Sequence, residues 1–262
     1  MAVSLDTEVV VATSAQEARE AFGDGDGVTV VAGGTIVMPD ITHRRLVPKK
    51  AVLIGKAGLA GVSDEGGRTT IGATTSVADL QDLAEPIGST AQHVADPEIR
   101  RQATVGGNLC APPGPESPRG DLQAALIAVD AQVRSTGADG ERTESVGDFL
   151  ASGASGRLLL DVSFGAVEAG SRAAVRRPHA HAYTILSVCA ARVDGAVRIA
   201  ASGAGPQAVR LTAAEEAFAG GDAAAAAERA LEGVEPADDA LASAWYRSKT
   251  LPVLVRRALE SL

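Results

Sequence analysis

Two short segments, Ala32-Gly33-Gly34-Thr35 and Ala103-Thr104-Val105-Gly106-Gly107-Asn108, set a glycine pair close behind β-branched residues. A glycine pair tolerates positive φ and carries no Cβ, so consecutive backbone N–H groups can close on a ligand and cradle phosphate oxygens. Neither segment is a GxGxxG or a GxxxxGK[ST] loop, which disfavours the usual nucleotide folds. Other chemistry-bearing residues are sparse. Cys110 and Cys189 are far apart and in no CxxC spacing, which suggests neither a disulfide framework nor an iron–sulfur site. His179 and His181 alternate as if on one face of a strand, but no Cys, Asp or Glu stands at ligand spacing, so no metal site is expected. Arg176-Arg177 is either an anion contact or a solvated turn.

The elements that must position these residues follow from pattern. Ser14 to Phe22 reads as a helix opened by a Ser14/Glu17 capping box. Val28 to Ile41 reads as a strand that breaks at Gly33-Gly34 into a new element, and Ala51 to Ile54 as another strand. Arg68 to Leu83 gives a strand and then a helix starting at Thr75 or Ser76. Pro112, Pro113, Pro115 and Pro118 require a loop. Beyond it an apolar helix begins at Asp121, its candidate N-cap, followed by a strand near Gln132 to Ser135. After about Ala166 the composition shifts, and two β-like runs meet at Asp194-Gly195, a strong hairpin signal. Helices are expected over Ala213–Ala219, Ala223–Leu231 and Asp238–Ala258, the last interrupted or kinked at Pro252.

The 262 residues can bury a sizeable core as two packed domains or one large one, and 45% hydrophobic with 22% charged residues excludes a disordered chain. A net charge of -9 argues against a duplex nucleic-acid binder, whose affinity would need Lys and Arg against phosphates. No apolar run reaches membrane-spanning length and no signal-peptide pattern opens the chain, so a cytoplasmic location is expected.

Six collinear segments resemble one family, the FAD-binding (medium) subunit of molybdenum hydroxylases of the xanthine dehydrogenase and carbon monoxide dehydrogenase type. VAGGTIVMP (31–39) resembles its first flavin motif, IGATTSVADL (71–80) its strand-to-helix signature and IRRQATVGGNLC (99–110) its second flavin motif. SPRGDLQAALIAVDAQV (117–133) resembles the loop and helix that follow, YTILSVCAARVDGAVRIAASGAGP (183–206) the start of its C-terminal domain, and AWYRSKTLPVLVRRAL (244–259) its closing helix.

The resemblance implies an α+β chain: a two-subdomain FAD-binding fold of the molybdopterin dehydrogenase and vanillyl-alcohol oxidase-like type over residues 1–167, split near 50–55, and a small α/β C-terminal domain over 168–262 that covers the flavin. It implies that Ala32, Gly33, Gly34, Thr35 and Ile36 form the first FAD cradle, with backbone amides on the pyrophosphate and the Thr35 hydroxyl adding a donor. Thr104, Gly106, Gly107 and Asn108 form the second, and Ala73 and Thr74 are weaker candidates. Asp121 matches an aspartate near the ribityl chain, its plain alternative being a helix N-cap. Tyr183 matches an aromatic against the isoalloxazine ring, its alternative being a core tyrosine. No catalytic acid or base and no metal ligand is implied. Two features depart from the family: Thr35-Ile36 stands where many members carry Asp, His or Ser, and the loop from Cys110 to Gly120 is unusually rich in proline.

The expected role is electron transfer from [2Fe–2S] clusters of a small subunit, fed by a large molybdenum-cofactor subunit, through FAD to a small external acceptor. The alternatives are a stand-alone FAD-dependent oxidase, dehydrogenase or monooxygenase, and a scaffold with a decayed flavin site, against which the intact glycine pairs and Asp121 argue.

Overall fold

The computed structural model describes residues 7–112, 120–154, 156–176 and 183–262. Three of the prolines that define the central loop, together with Arg177, His179 and His181, lie outside the described residues.

The first unit holds β1 (Glu8–Val11), α1 (Ala15–Phe22), β2 (Val28–Val31), α2 (Val37–Thr42) and β3 (Lys50–Leu53). Its strands form a parallel sheet in the order β1-β3-β2, with Val10 and Val30 both in register with Val52. At the head of α1 the Ser14 hydroxyl accepts the Glu17 N–H at 3.1 Å, and the Glu17 carboxylate takes the N–H and hydroxyl of Thr13, each at 2.7 Å. The box therefore closes one residue earlier than the sequence pattern suggests. Ala18 and Phe22 of α1 pack with Val52 and Ile54, and with Leu158 and Leu160 from the next unit.

The second unit runs through β4 (Val62–Glu65), β5 (Arg68–Gly72), a 3-10 turn (Val77–Leu80), α3 (Ile87–Gln92), α4 (Pro97–Gln102), α5 (Val105–Leu109), α6 (Asp121–Ala128), β6 (Gln132–Gly137), β7 (Gly140–Ser145), α7 (Val146–Ser152) and β8 (Arg157–Phe164). Its antiparallel sheet has the order β4-β5-β8-β6-β7. The helix expected from Thr75 or Ser76 shrinks to the 3-10 turn, capped by the Ser76 hydroxyl on the Asp79 N–H at 3.2 Å. Every residue of α6 is buried. That suits its all-round apolar sequence, because a helix without a polar face must be covered on all sides. It lies between α3, α5 and α7 of its own unit and the sheet of the third. Leu122 and Leu126, at 0% and 1% exposure, each contribute about 1.5–3 kcal/mol by leaving water.

The third unit is a sheet of β9 (Ala169–Arg176), β10 (Thr184–Val193), β11 (Ala196–Ser202) and β12 (Val209–Arg210), in the antiparallel order β12-β11-β10-β9, with α8 (Thr212–Phe218), α9 (Ala223–Glu228) and α10 (Ala244–Glu260). Val193 pairs with Ala196 across Asp194 (φ 51°) and Gly195 (φ 73°), two left-handed residues that make the tight hairpin the sequence indicated. One face of β10 (Leu186, Val188, Ala190) packs with Leu251, Leu254 and Val255 of α10, while Cys189, Ala191 and Val193 join the core of the second unit. α10 starts later than expected, because the Asp239 carboxylate takes the N–H groups of Leu241 (2.8 Å) and Ala242 (3.0 Å) and turns the chain before Ser243 caps the helix. It then continues through Pro252 without interruption. The third unit docks closely on the second: a Cβ on Gly170 would stand 1.9 Å from the Glu85 carbonyl oxygen.

Candidate functional site

The first glycine pair leaves β2 and enters α2. Gly34 adopts φ +72°, which an L side chain rarely tolerates. Among the described residues, none of the N–H groups of Gly33, Gly34, Thr35 and Ile36 donates a hydrogen bond, and the Thr35 hydroxyl is likewise without a partner. Half-buried backbone donors left open in a row are uncommon and form the kind of concavity that receives an anion. Ala32, just before them, completes the turn out of β2.

The second glycine pair behaves differently. Thr104 is the N-cap of α5, its hydroxyl taking the Gly107 N–H at 3.1 Å. The Gly106 N–H goes to the Ala73 carbonyl (2.8 Å) and the Asn108 N–H to the Thr104 carbonyl (2.8 Å). The amides of Gly106 and Asn108, expected from sequence to form a second cradle, are therefore already committed inside the protein. Gly106 serves close packing instead, since a Cβ there would lie 2.9 Å from the Ala73 oxygen. Gly107 is exposed, and its amide is held only by a side-chain hydroxyl that a ligand oxygen can replace.

Tertiary structure brings the two glycine segments together. A Cβ on Gly33 would sit 1.8 Å from the Gln102 carbonyl oxygen, so glycine alone lets the first turn lie against the entry to the second. The second segment is held in turn by Val77 N–H to the Ala103 carbonyl (2.8 Å) and Val105 N–H to the Thr75 carbonyl (3.0 Å). In the residue just before Thr75, the Thr74 hydroxyl is buried with no hydrogen-bond partner among the described residues. Leaving such a group unmade costs about 1–3 kcal/mol, which makes Thr74 a stronger candidate for a ligand contact than the sequence alone indicated.

Asp121 is not the N-cap of α6. Gly120 occupies that position, and the Asn108 side-chain oxygen accepts the Leu122 N–H at 2.9 Å. One glycine-segment residue thus caps the helix whose first residue is Asp121. Freed from capping, the Asp121 carboxyl is buried, and burial pushes its pKa up to about 6 against the opposing pull of the Thr184 hydroxyl and the Arg172 and Arg176 guanidinium groups. Burial also draws the Arg172 guanidinium below its ordinary value. Sequence reading passed over Arg172 and Thr184; their signal is positional, since Arg172 and Arg176 share one face of β9 by strand alternation. Thr184 pairs with Arg176 across to β10. Tyr183, one residue before β10, is 48% exposed and is not a core tyrosine.

Of the two thiols, Cys189 is buried and Cys110 half-buried. Burial pushes Cys189 up to about 11, with Arg172 pulling the other way, and Cys110 up to about 12. Among the described residues no group of three or more His, Cys, Asp or Glu could hold a metal ion, and no helix is long and apolar enough to cross a membrane.

These residues fit a flavin dinucleotide: four open amides for phosphate, an orphaned buried hydroxyl, a buried carboxylate able to accept from sugar hydroxyls, and an exposed aromatic ring. Residues 5–164 match the family model described as the FAD binding domain in molybdopterin dehydrogenase, and residues 171–262 match that of the CO dehydrogenase flavoprotein C-terminal domain. The chain is 30% identical to the 6-hydroxypseudooxynicotine dehydrogenase complex subunit alpha of Paenarthrobacter nicotinovorans, over 96% of this chain and 93% of that one. It is 26% identical to the carbon monoxide dehydrogenase medium chain of Hydrogenophaga pseudoflava, over 90% of each. A solved structure of carbon monoxide dehydrogenase from H. pseudoflava, lacking the Mo-pyranopterin moiety of its molybdenum cofactor, superposes with a TM-score of 0.84 at 26% identity, covering 97% of this chain and 96% of that one.

Proposed function

This chain belongs to the FAD-binding subunit family of the molybdenum hydroxylases, binds FAD and is part of an oxidoreductase, and from that premise we propose that it relays electrons from a partner's [2Fe–2S] clusters to a small external acceptor. The partners we propose are a small iron–sulfur subunit and a large subunit carrying the molybdenum cofactor. The observation that carries the site assignment is the row of open amides from Gly33 to Ile36, which begins against the backbone of Gln102 and Ala103 at the entry to the second glycine segment.

In this reading the amides of Gly33, Gly34, Thr35 and Ile36 bind the pyrophosphate, and the hydroxyls of Thr35 and Thr74 add donors. Ala32 sets the approach of the chain, and Thr104 and Gly107 lend a further polar edge. Gly106 and Asn108 act by packing and by capping α6. The Asp121 carboxylate accepts from ribityl hydroxyls, and Tyr183 lies against the ring system and shields it from water. Bound flavin supplies the ability to accept electrons singly and release them in pairs, a property of the cofactor that the protein orients and tunes. The role thus asks this chain to bind, orient and shield, and needs no proton-transferring side chain.

Purification of the native assembly tests the role. Companion chains carrying molybdenum, iron and acid-labile sulfur, together with flavin reduction that requires them, are the expected result. Substrate-dependent flavin bleaching by the chain alone, with no such companions, would sink the electron-relay reading in favour of a stand-alone flavoenzyme.

A further inference from the structure

Arg247 is one of the most buried side chains of the protein, at 2% exposure, and lies on α10, in a sequence segment with no assigned part in the site. Burying a guanidinium costs free energy that its hydrogen bonds must offset, and in Arg247 the two terminal nitrogens supply them while Nε is buried without a partner among the described residues. Its Nη1 donates to the carbonyls of Ile185 and Gly203 (2.7 Å), and its Nη2 to the Asp239 carboxylate (2.7 Å). Asp239 is itself anchored by two backbone N–H groups.

The two carbonyls mark a specific place. The register of β10 on β9 shifts between Thr184 and Leu186, which makes Ile185 the irregular residue of the strand. Such bulges re-aim neighbouring side chains and leave a backbone group without its ladder partner. Gly203 follows the last residue of β11, and its φ of +83° lets the chain pass so near that a Cβ would be 2.3 Å from the Ile185 oxygen. Ser202, next to it, donates its hydroxyl to the Gly120 carbonyl at 3.4 Å, beside Asp121.

We propose that Arg247 is a positioning residue for the flavin: by holding the Ile185 bulge against the end of β11, it fixes the direction in which the chain passes from Tyr183 through Thr184 into β10. The proposal rests on the reading that Tyr183 faces the flavin ring. Two β-strand ends and one helix meet at a single fork of donors, a geometry that lysine's single point charge cannot reproduce.

The test uses the full chain loaded with FAD, comparing Tyr183→Leu, Arg247→Met, Arg247→Lys and the Arg247→Met/Tyr183→Leu double variant. The readouts are the emission yield per bound flavin and the flavin midpoint potential, neither of which moves if Arg247 only stabilises the fold. Tyr183→Leu should raise emission several-fold by removing the stacked ring. Arg247→Met should raise it by a comparable factor, Arg247→Lys by less, and the double variant no further than Tyr183→Leu. Folded Arg247 variants with wild-type emission and potential, while Tyr183→Leu changes both, overturn the positioning role alone. If Arg247→Met does not fold, Arg247→Lys decides the matter by the same criterion. Unchanged emission in Tyr183→Leu overturns the placement of Tyr183, and the inference with it.

Discussion

Replacing Gly33 by alanine places a single methyl group 1.8 Å from the Gln102 carbonyl oxygen and 2.7 Å from its carbonyl carbon. Both neighbours are backbone, so no side-chain rotation relieves the clash. The two glycine segments must separate by roughly 1 Å or more, and overpacking of this kind costs about 1–3 kcal/mol of stability. The cost to ligand binding is larger, since hydrogen bonds hold only within a few tenths of an ångström of about 2.9 Å. Charge-assisted bonds contribute about 1.5–3 kcal/mol each, so losing two of the open amides weakens FAD binding by about 3–6 kcal/mol, on the order of 10²- to 10⁴-fold. Fluorescence titration of FAD into the flavin-free variant measures this, with circular dichroism and thermal melting to establish that the chain is folded. A folded Gly33→Ala protein that binds FAD within threefold of the wild type would refute the packing argument and the placement of the pyrophosphate on Gly33 to Ile36.

Two further outcomes follow from the same site. The Asp121 carboxyl titrates near 6 when folded and at its ordinary 3.8 when unfolded, so between those values the folded state holds more protons. Stability of the flavin-free chain therefore falls as pH rises from about 4 to 6, by about 3 kcal/mol in all, and levels off above that. Asp121→Asn should flatten this slope in urea unfolding followed across pH, while lowering FAD affinity about 10- to 100-fold through the lost charged acceptor; an unchanged slope in the variant counts against the buried-carboxylate account. Asn108→Ala strips the acceptor from the buried Leu122 N–H. It should cost about 1–3 kcal/mol, seen as a fall of several degrees in the thermal midpoint. A midpoint within a degree of wild type would mean that another group caps α6.

Much of this was legible in the residues. The glycine pair at Gly33-Gly34 announces a turn after a strand because only glycine accepts φ near +72° without strain. Asp194-Gly195 announces its hairpin for the same local reason. Six collinear matches were enough to place the family, and with it FAD. Each of these signals is carried by neighbours in the chain, so sequence alone determines it.

What tertiary structure decided concerns partners distant in sequence. The amides of Gly33 to Ile36 remain open while those of Gly106 and Asn108 are consumed, because the second segment lies alongside Ala73, which takes the Gly106 N–H, and continues into α5, where the Thr104 carbonyl takes the Asn108 N–H. Asp121 loses its capping role to Asn108, a residue from another element, and is left buried beside Thr184, Arg172 and Arg176 of the third unit. Thr74 gains importance by being enclosed without a partner, and Arg247 by reaching Ile185 and Gly203 across the sheet. Local pattern fixes which backbone conformations are cheap. Whether a given donor or carboxylate is satisfied, exposed or desolvated depends on what the rest of the chain packs against it, and that is settled only when the three units meet.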